Sequence, residues 1–304
     1  PKDSLTYIMT QTDRYGMNAL MLAARSSPTK VNAIIKYIPK DSLTYIMTLT
    51  DNCRMNALML AAKHQPEAVE PILKSIPKES LTAILTQTDN SGFNNALMLA
   101  AKHQPEAVEP ILEFIPKESL RAIMTQIDGY GMNALMLAAK HQPKAVEPIL
   151  KSIPKEYLRA ILTRSYGCSM NALMIAAKYE PEAVEPILKF TPKEYLGAIM
   201  TKTDRYRSNA LMLAASWNPK VVTLILDATP PEQLKKIVKQ MRSSIDFLVL
   251  LMNEEQMNNA GEASNLKKIE CLGLFLAIAP EEFRQKIMAN PEGGDFKTED
   301  YNNF

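Results

Sequence analysis

The stretch that decides the architecture is Asp51-Asn-Cys-Arg-Met-Asn56-Ala-Leu-Met-Leu-Ala-Ala-Lys-His64-Gln-Pro66-Glu-Ala-Val69-Glu-Pro71-Ile-Leu73-Lys-Ser-Ile-Pro77-Lys-Glu-Ser-Leu81-Thr-Ala-Ile-Leu85-Thr-Gln-Thr88. It recurs in both directions along the chain. Pro-Lys pairs begin at Pro1, Pro39, Pro77, Pro116, Pro154 and Pro192, and Asn-Ala-Leu begins at Asn18, Asn56, Asn95, Asn133, Asn171 and Asn209, a period of 38 residues with one step of 39. A fixed period of this length marks a stacked repeat array and overrides the two globular units that 304 residues would otherwise suggest. The extra residue falls in Phe93-Asn94-Asn95, just before a helix start, where a loop absorbs it.

Three short helices fit each unit. The first runs from Asn56 to about His64 with the asparagine as N-cap, because its side-chain oxygen can accept an unpaired amide of the opening turn. The second begins near Pro66 and places Val69, Ile72, Leu73 and Ile76 at helical spacing. A further proline, at Pro71, Pro110, Pro148 and Pro186, is expected to delete one backbone bond inside this helix and bend it. The third opens at Pro77, carries Glu79 in its first turn and presents Leu81, Ile84 and Leu85. No single unit buries these faces alone, so the fold class is all-α, a helical-repeat solenoid whose neighbours share one core.

The repeats are expected to occupy residues 1–229, with a first unit that begins inside a longer protein. After Pro230-Pro231 the pattern degenerates. Gln233 to Gln240, Ile245 to Met252 and Leu266 to Ile278 read as helices of a capping repeat over 230–290, with a polar insertion at 253–265 and a flexible tail at 291–304.

The charge balance is +2, so no global field points to nucleic acid or membrane. The longest apolar runs fall short of the ~20 residues of a membrane helix. Three widely spaced cysteines, Cys53, Cys168 and Cys271, argue against a disulfide framework or structural zinc and fit a reducing, cytoplasmic location.

The segment Asp13-Arg-Tyr-Gly-Met-Asn-Ala-Leu-Met-Leu-Ala-Ala24 resembles the opening of ankyrin repeats, with Asn18-Ala19 where that family prefers Thr-Pro and Met21 where it prefers His. Ala68-Val69 and Ile72-Leu73 match its second helix, and the resemblance spans roughly residues 13 to 226. The family period is about 33, so the additional residues build the third helix in place of the usual hairpin. The resemblance implies a stacked fold that binds another protein. Large arrays of this kind also resemble those of proteins that intracellular bacteria deliver into host cells, which would make the chain a virulence effector acting in host cytosol. Three-helix units with an Asp-x-Tyr-Gly start further resemble Pumilio-type RNA-binding repeats. Those need polar readout residues that vary between units, whereas Asn18, Leu20 and Met21 recur almost unchanged.

Comparing the copies with one another locates the expected binding surface. Scaffold positions repeat almost unchanged, while the loop before each first helix reads Arg14-Tyr15-Gly16, Asn52-Cys53-Arg54, Asn90-Ser91-Gly92, Gly129-Tyr130-Gly131, Tyr166-Gly167-Cys168 and Arg205-Tyr206-Arg207. Tyr and Arg, with Phe93, are side chains that dominate interface energetics. The ends of the first helices vary as well, from Lys63-His64-Gln65 to Ser216-Trp217-Asn218, along what ankyrin-like stacking would make the concave face. The candidate partner-binding residues are therefore Arg14, Tyr15, Arg54, Phe93, Tyr130, Tyr166, Arg205, Tyr206, Arg207 and Trp217.

No catalytic, cofactor or metal site is expected, and no small-molecule substrate. His64, His103 and His141 occupy equivalent places in units spaced ~8 to 10 Å apart, too far for convergence on one zinc. Glu67, Glu70, Glu106 and Glu109 recur near lysines as a solvated face, and the methionines at 21, 59, 98, 136, 174 and 212 share one packing position.

Overall fold

The computed structural model describes residues 2–165, 167 and 169–240. The chain falls into two compact units, one ending at Gly167 and one beginning after it. The first holds α1 (Lys2–Thr10), α2 (Ala19–Ser26), α3 (Pro28–Tyr37), α4 (Lys40–Thr48), α5 (Ala57–His64), α6 (Val69–Ser75), α7 (Lys78–Thr86), α8 (Ala96–His103), α9 (Val108–Phe114), α10 (Lys117–Thr125), α11 (Ala134–His141), α12 (Val146–Ser152) and α13 (Lys155–Leu162). The second holds α14 (Ala172–Tyr179), α15 (Val184–Phe190), α16 (Lys193–Met200), α17 (Ala210–Trp217), α18 (Val222–Ala228) and α19 (Pro231–Gln240). α19 takes in the helix expected at Gln233–Gln240, whereas the rest of the expected cap, its insertion and the tail lie outside the described residues.

Within the first unit the helices stack in three rows. First helices pack α2 on α5 on α8 on α11, second helices α3 on α6 on α9 on α12, and third helices α1 on α4 on α7 on α10 on α13. The second unit repeats the scheme with α14 on α17, α15 on α18 and α16 on α19. Every first helix is capped by its asparagine, whose Oδ1 accepts from the backbone N–H three residues on, as Asn56 does from Met59 at 2.8 Å. The Ala-Leu-Met-Leu-Ala-Ala run of α5, α8 and α11 is buried on all sides. Second helices, neighbouring first helices and third helices share the covering: α7 packs on α8, while its Ile84 carbonyl accepts from Asn56 Nδ2, ahead of α5. The six repeated methionines are all buried, as packing residues should be.

The second proline acts differently from expectation. Pro66–Ala68 winds as a 3-10 turn and the α-helix starts only at Val69, so Pro71 sits in the first α turn, where a missing N–H forfeits little. Nor does the 3-10 start require that proline, because Pro219–Val221 forms one with Leu224 in the equivalent place. It accompanies a buried Ala68 or Val221 at the third position; the first repeat, with exposed Lys30 there, runs as one continuous helix, α3.

Side-chain bonds tie repeat to repeat. Asn56 Nδ2 donates to Gln87 Oε1 at 2.7 Å and Asn95 Nδ2 to Gln126 Oε1 at 2.6 Å, and each glutamine amide donates onward to Thr48 O or Thr86 O of the preceding third helix. In two of the three repeats where the glutamine is replaced the amide is stranded, the exception being Asn171, which faces Lys202 and donates to Ile199 O at 2.8 Å. Leu49 stands in that slot opposite Asn18, and Arg164 opposite Asn133; neither side chain can accept, and the Nδ2 groups of Asn18 and Asn133 are buried without a partner. Along the third helices, Thr6–Ser42, Thr44–Ser80 and Thr82–Ser119 form a hydroxyl ladder, which gives way to an Arg121 guanidinium stacked on Tyr157.

A buried donor left without an acceptor costs about 1 to 3 kcal/mol, and a typical restored bond returns about 1 kcal/mol. Leu49→Gln and Arg164→Gln should each raise stability by about 1 kcal/mol, and Gln87→Leu should lower it by at least as much, read as shifts of the urea midpoint at constant slope.

Candidate functional site

The loops before the first helices are built by a buried aspartate. Asp51 Oδ1 accepts from Cys53 N at 2.9 Å and Met55 N at 2.8 Å, while Asp51 N–H donates to Met55 O and Arg54 N–H to Asp51 O. Asp128 and Asp204 make the same turn from buried positions, and Asp13 makes it while exposed. In the third repeat, Asp89 accepts from Gly92 and Asn94, so the inserted residue is absorbed without losing the turn. Asn94 takes the buried slot that Met55 fills elsewhere.

Each tip turns back through a left-handed residue: Gly16, Arg54, Phe93, Gly131, Ser169 and Arg207 in chain order, with φ between 57° and 86°. Glycine fits this conformation freely, whereas a side chain there costs on the order of 1 kcal/mol. At Gly16 space is short too, since a Cβ would lie 2.6 Å from Asn52 Oδ1. Successive tips of the first unit are pinned by backbone bonds, Asn52 N to Tyr15 O at 3.0 Å, Asn90 N to Cys53 O at 3.0 Å and Gly129 N to Gly92 O at 2.7 Å.

What the tips hold outward is aromatic and cationic. In the first unit Tyr15, Phe93 and Tyr130 are exposed, Tyr130 at 72%, together with Arg14 and Arg54. The Arg14 guanidinium stacks 4.7 Å from the Tyr15 ring and donates to its hydroxyl, and Phe93 lies against Gly129 of the next tip. In the second unit Arg205, Tyr206 and Arg207 are exposed, with Arg205 paired to Tyr206 in the same way. Tyr166 lies outside the described residues. Counted back from Asn171, it stands in register with Asp128 and not with Tyr130, so the fifth repeat replaces the turn-building aspartate.

The first-helix surface contributes less than the sequence suggests. Because α5, α8 and α11 are enclosed, only their last residues reach solvent: Lys63 and His64, Lys102 and His103, Lys140 and His141. In the second unit the corresponding helix ends carry Lys178, Tyr179 and Trp217, with Trp217 61% exposed. The Lys178 ammonium sits 5.2 Å from the Tyr179 ring and 5.0 Å from that of Trp217, while Asn218 Nδ2 closes the end of α14 by donating to Ala177 O and Lys178 O. Lys178 and Tyr179 belong to the variable first-helix ends noted in the sequence, Tyr179 in register with Trp217, although neither is among the candidate partner-binding residues. The histidines remain one per repeat, and among the described residues no group of three His, Cys, Asp or Glu side chains could hold a metal ion. A surface depression of about 700 Å³ beside His64 is edged by Glu67, Glu70 and Glu106.

No protein-family model and no curated protein matches the sequence. Solved structures do match in fold. A chain from the structure of the Bdellovibrio bacteriovorus predatory endopeptidase Bd0816 in complex with immunity protein Bd3460, a complex of two proteins, aligns at a TM-score of 0.50 and 18% identity, covering 72% of this chain and 100% of its own. The human ASB11 ankyrin repeat domain aligns at 0.51 and 17%, covering 70% and 85%. The ankyrin repeat protein EF0377 aligns at 0.50 and 19%, covering 71% and 98%. The fold is thus the ankyrin-repeat solenoid, here with a third helix in every unit.

The histidine row makes the fold sensitive to acid. Burial, reinforced by Lys102 and then by Lys63 and the flanking histidines, pushes His103 down to about 4; burial followed by Lys63 and Arg25 lowers His64, and burial followed by Lys140 and Lys102 lowers His141. A folded-state value below the unfolded ~6.5 means that the unfolded chain binds more protons between the two, so the native state is fully favoured above pH ~6.5 and loses stability as pH falls toward 4. The drop in Tm between pH 7 and 5 should shrink markedly when His64, His103 and His141 are all changed to Gln, as thermal melts at the two pH values will register.

Proposed function

We propose that this chain is a non-catalytic scaffold that binds another protein through the loops preceding its first helices. The observation that carries the reading is the contrast between the tips and what lies beneath them. Asparagine caps, turn-building aspartates and buried helices are nearly interchangeable between units, yet each tip presents its own side chains to solvent. Exposed Tyr, Phe and Arg on a pinned backbone bury large area at little entropic cost when a partner docks. Trp217 and Tyr179 add a second aromatic contact area in the second unit.

Parallels in fold support the same class of function. One of the similar chains comes from a complex of an endopeptidase with an immunity protein, and two others are ankyrin repeat proteins. Reading of RNA bases by the first helices is disfavoured on geometry, because Leu58, Met59, Leu97 and Met98 at the candidate readout positions are fully buried.

Replacing Tyr15, Phe93, Tyr130 and Tyr206 together by Ala should leave Tm nearly unchanged, since all four are exposed. The same variant should lose proteins that the parent chain captures, by ~30-fold or more in affinity if two of the four are hot spots. A photo-crosslinking residue at 130 should form protein adducts, while one at Ala122 on the outer side of α10 should not; adducts only at the latter would move the interface to the third helices.

A further inference from the structure

The ends of the first helices in the second unit depart from the other copies in one chemical direction. Three repeats of the first unit close this helix with Lys63-His64-Gln65, Lys102-His103-Gln104 and Lys140-His141-Gln142. In the second unit the same places read Lys178-Tyr179-Glu180 and Ser216-Trp217-Asn218. Larger rings stand where the histidines were, a carboxylate stands in place of one glutamine, and a serine in place of one lysine. Ring faces and carboxylates attract cations, and the serine removes a repelling charge.

A cation already sits there. The Lys178 ammonium lies 5.2 Å from the Tyr179 ring and 5.0 Å from the Trp217 ring, so one positive charge meets two aromatic side chains from successive repeats. Among the described residues it pairs with no carboxylate. Both rings are nonetheless exposed, and the Asn218 amide, by donating to Ala177 O and Lys178 O, ties the end of α17 to the end of α14 and so fixes their spacing. Glu180 follows Tyr179 directly, and its carboxylate forms no ion pair or hydrogen bond among the described residues. In the first unit the equivalent pair, His64 and Gln65, edges a single depression, which places this position beside the helix end.

We infer that Tyr179 and Trp217 form a cation site for an arginine side chain of the partner protein, and that Lys178 fills this site in the free chain. The inference rests on the reading of the chain as a protein-binding scaffold and gives its second contact area a chemistry. An arriving lysine offers nothing that Lys178 does not already supply from within the chain. A guanidinium is more weakly hydrated, lies flat on an aromatic face and presents paired N–H groups that match the Glu180 carboxylate. Lys178 then swings aside on its long stem and leaves its ammonium in water. An acidic partner drawn by Lys178 would be the opposite reading, but it would meet two ring faces of negative potential and Glu180 beside that lysine.

Trp217 is the only tryptophan, so its fluorescence reports on the site in the full chain. The probes are short glycine-flanked peptides carrying arginine, lysine, glutamate or citrulline, the last an uncharged isostere of arginine, each with a dye whose anisotropy is read when the tryptophan is replaced. The arginine peptide should change Trp217 emission saturably and bind about fivefold or more tighter than any of the others. Lys178→Gln should tighten the arginine peptide about threefold or more, a gain that unfolding cannot imitate. Trp217→Leu and Tyr179→Leu should each weaken it about fivefold or more at nearly unchanged Tm, since both side chains are exposed. Equal binding of the arginine and citrulline peptides, tighter binding of the glutamate peptide, unchanged or weaker binding by Lys178→Gln, or parent-like binding by Trp217→Leu would each overturn the inference. If the arginine peptide is ignored while the four-fold alanine variant of the tips loses captured proteins, the cation site is refuted and the scaffold reading stands. If the arginine peptide binds as described while the four-fold variant captures as the parent does, the cation site stands and the tip interface is refuted.

Discussion

Everything in this molecule depends on a buried asparagine that opens the first helix of each repeat. Its oxygen caps the start of the helix by accepting the amide three residues on, and in the central repeats its nitrogen reaches a glutamine that is itself tied to the preceding third helix. One side chain thus fixes where the first helix begins, where the third helix ends and how far apart two units sit. The carboxylate five or six residues upstream closes the tip over it. With start, end and spacing all set, the enclosed Ala-Leu-Met-Leu-Ala-Ala helix has no freedom left, and variation is pushed outward to the tips.

The third helix changes what such a solenoid can offer. It packs over the start of the next first helix and receives the asparagine amide of the previous one, so the inner helices are enclosed along most of their length. The proposed binding surface accordingly comprises the tips and the short Lys-His or Tyr and Trp ends of the first helices. A tip is a stiff platform here, because its aspartate nest and the backbone bonds between neighbours hold the turn whichever side chains it displays.

Much of this was legible in the sequence. The 38-residue period, the asparagine caps and the three helices per unit follow from repeated Asn, Pro and apolar positions, since those residues act locally. The role of Pro71 was not legible, because whether a proline sits within a helix or in its first turn depends on the 3-10 turn that packing of Ala68 accompanies. Nor was the enclosure of the first helices, which arises from a helix contributed by the neighbouring unit. The tips were located correctly as loops, but the left-handed slot was hidden: Gly16 and Gly131 hint at it, and Arg54, Phe93 and Arg207 occupy it against their own preference. Tyr166 shows the limit of reading loops by appearance, for its aromatic ring suggests a tip residue while its register is that of the aspartate.

The central claim is that an invariant shell holds divergent tips that do the binding. One chimera addresses it directly: the loops of repeats one, two, three and six rewritten to the Gly129-Tyr130-Gly131 form of repeat four, with every aspartate, asparagine cap and helix untouched. Thermal unfolding and protein capture are then measured on the same preparation. A chain that melts at or above the parent temperature and captures none of the parent's partners is the expected result. Loss of the fold, or undiminished capture by a fully folded chimera, would contradict it.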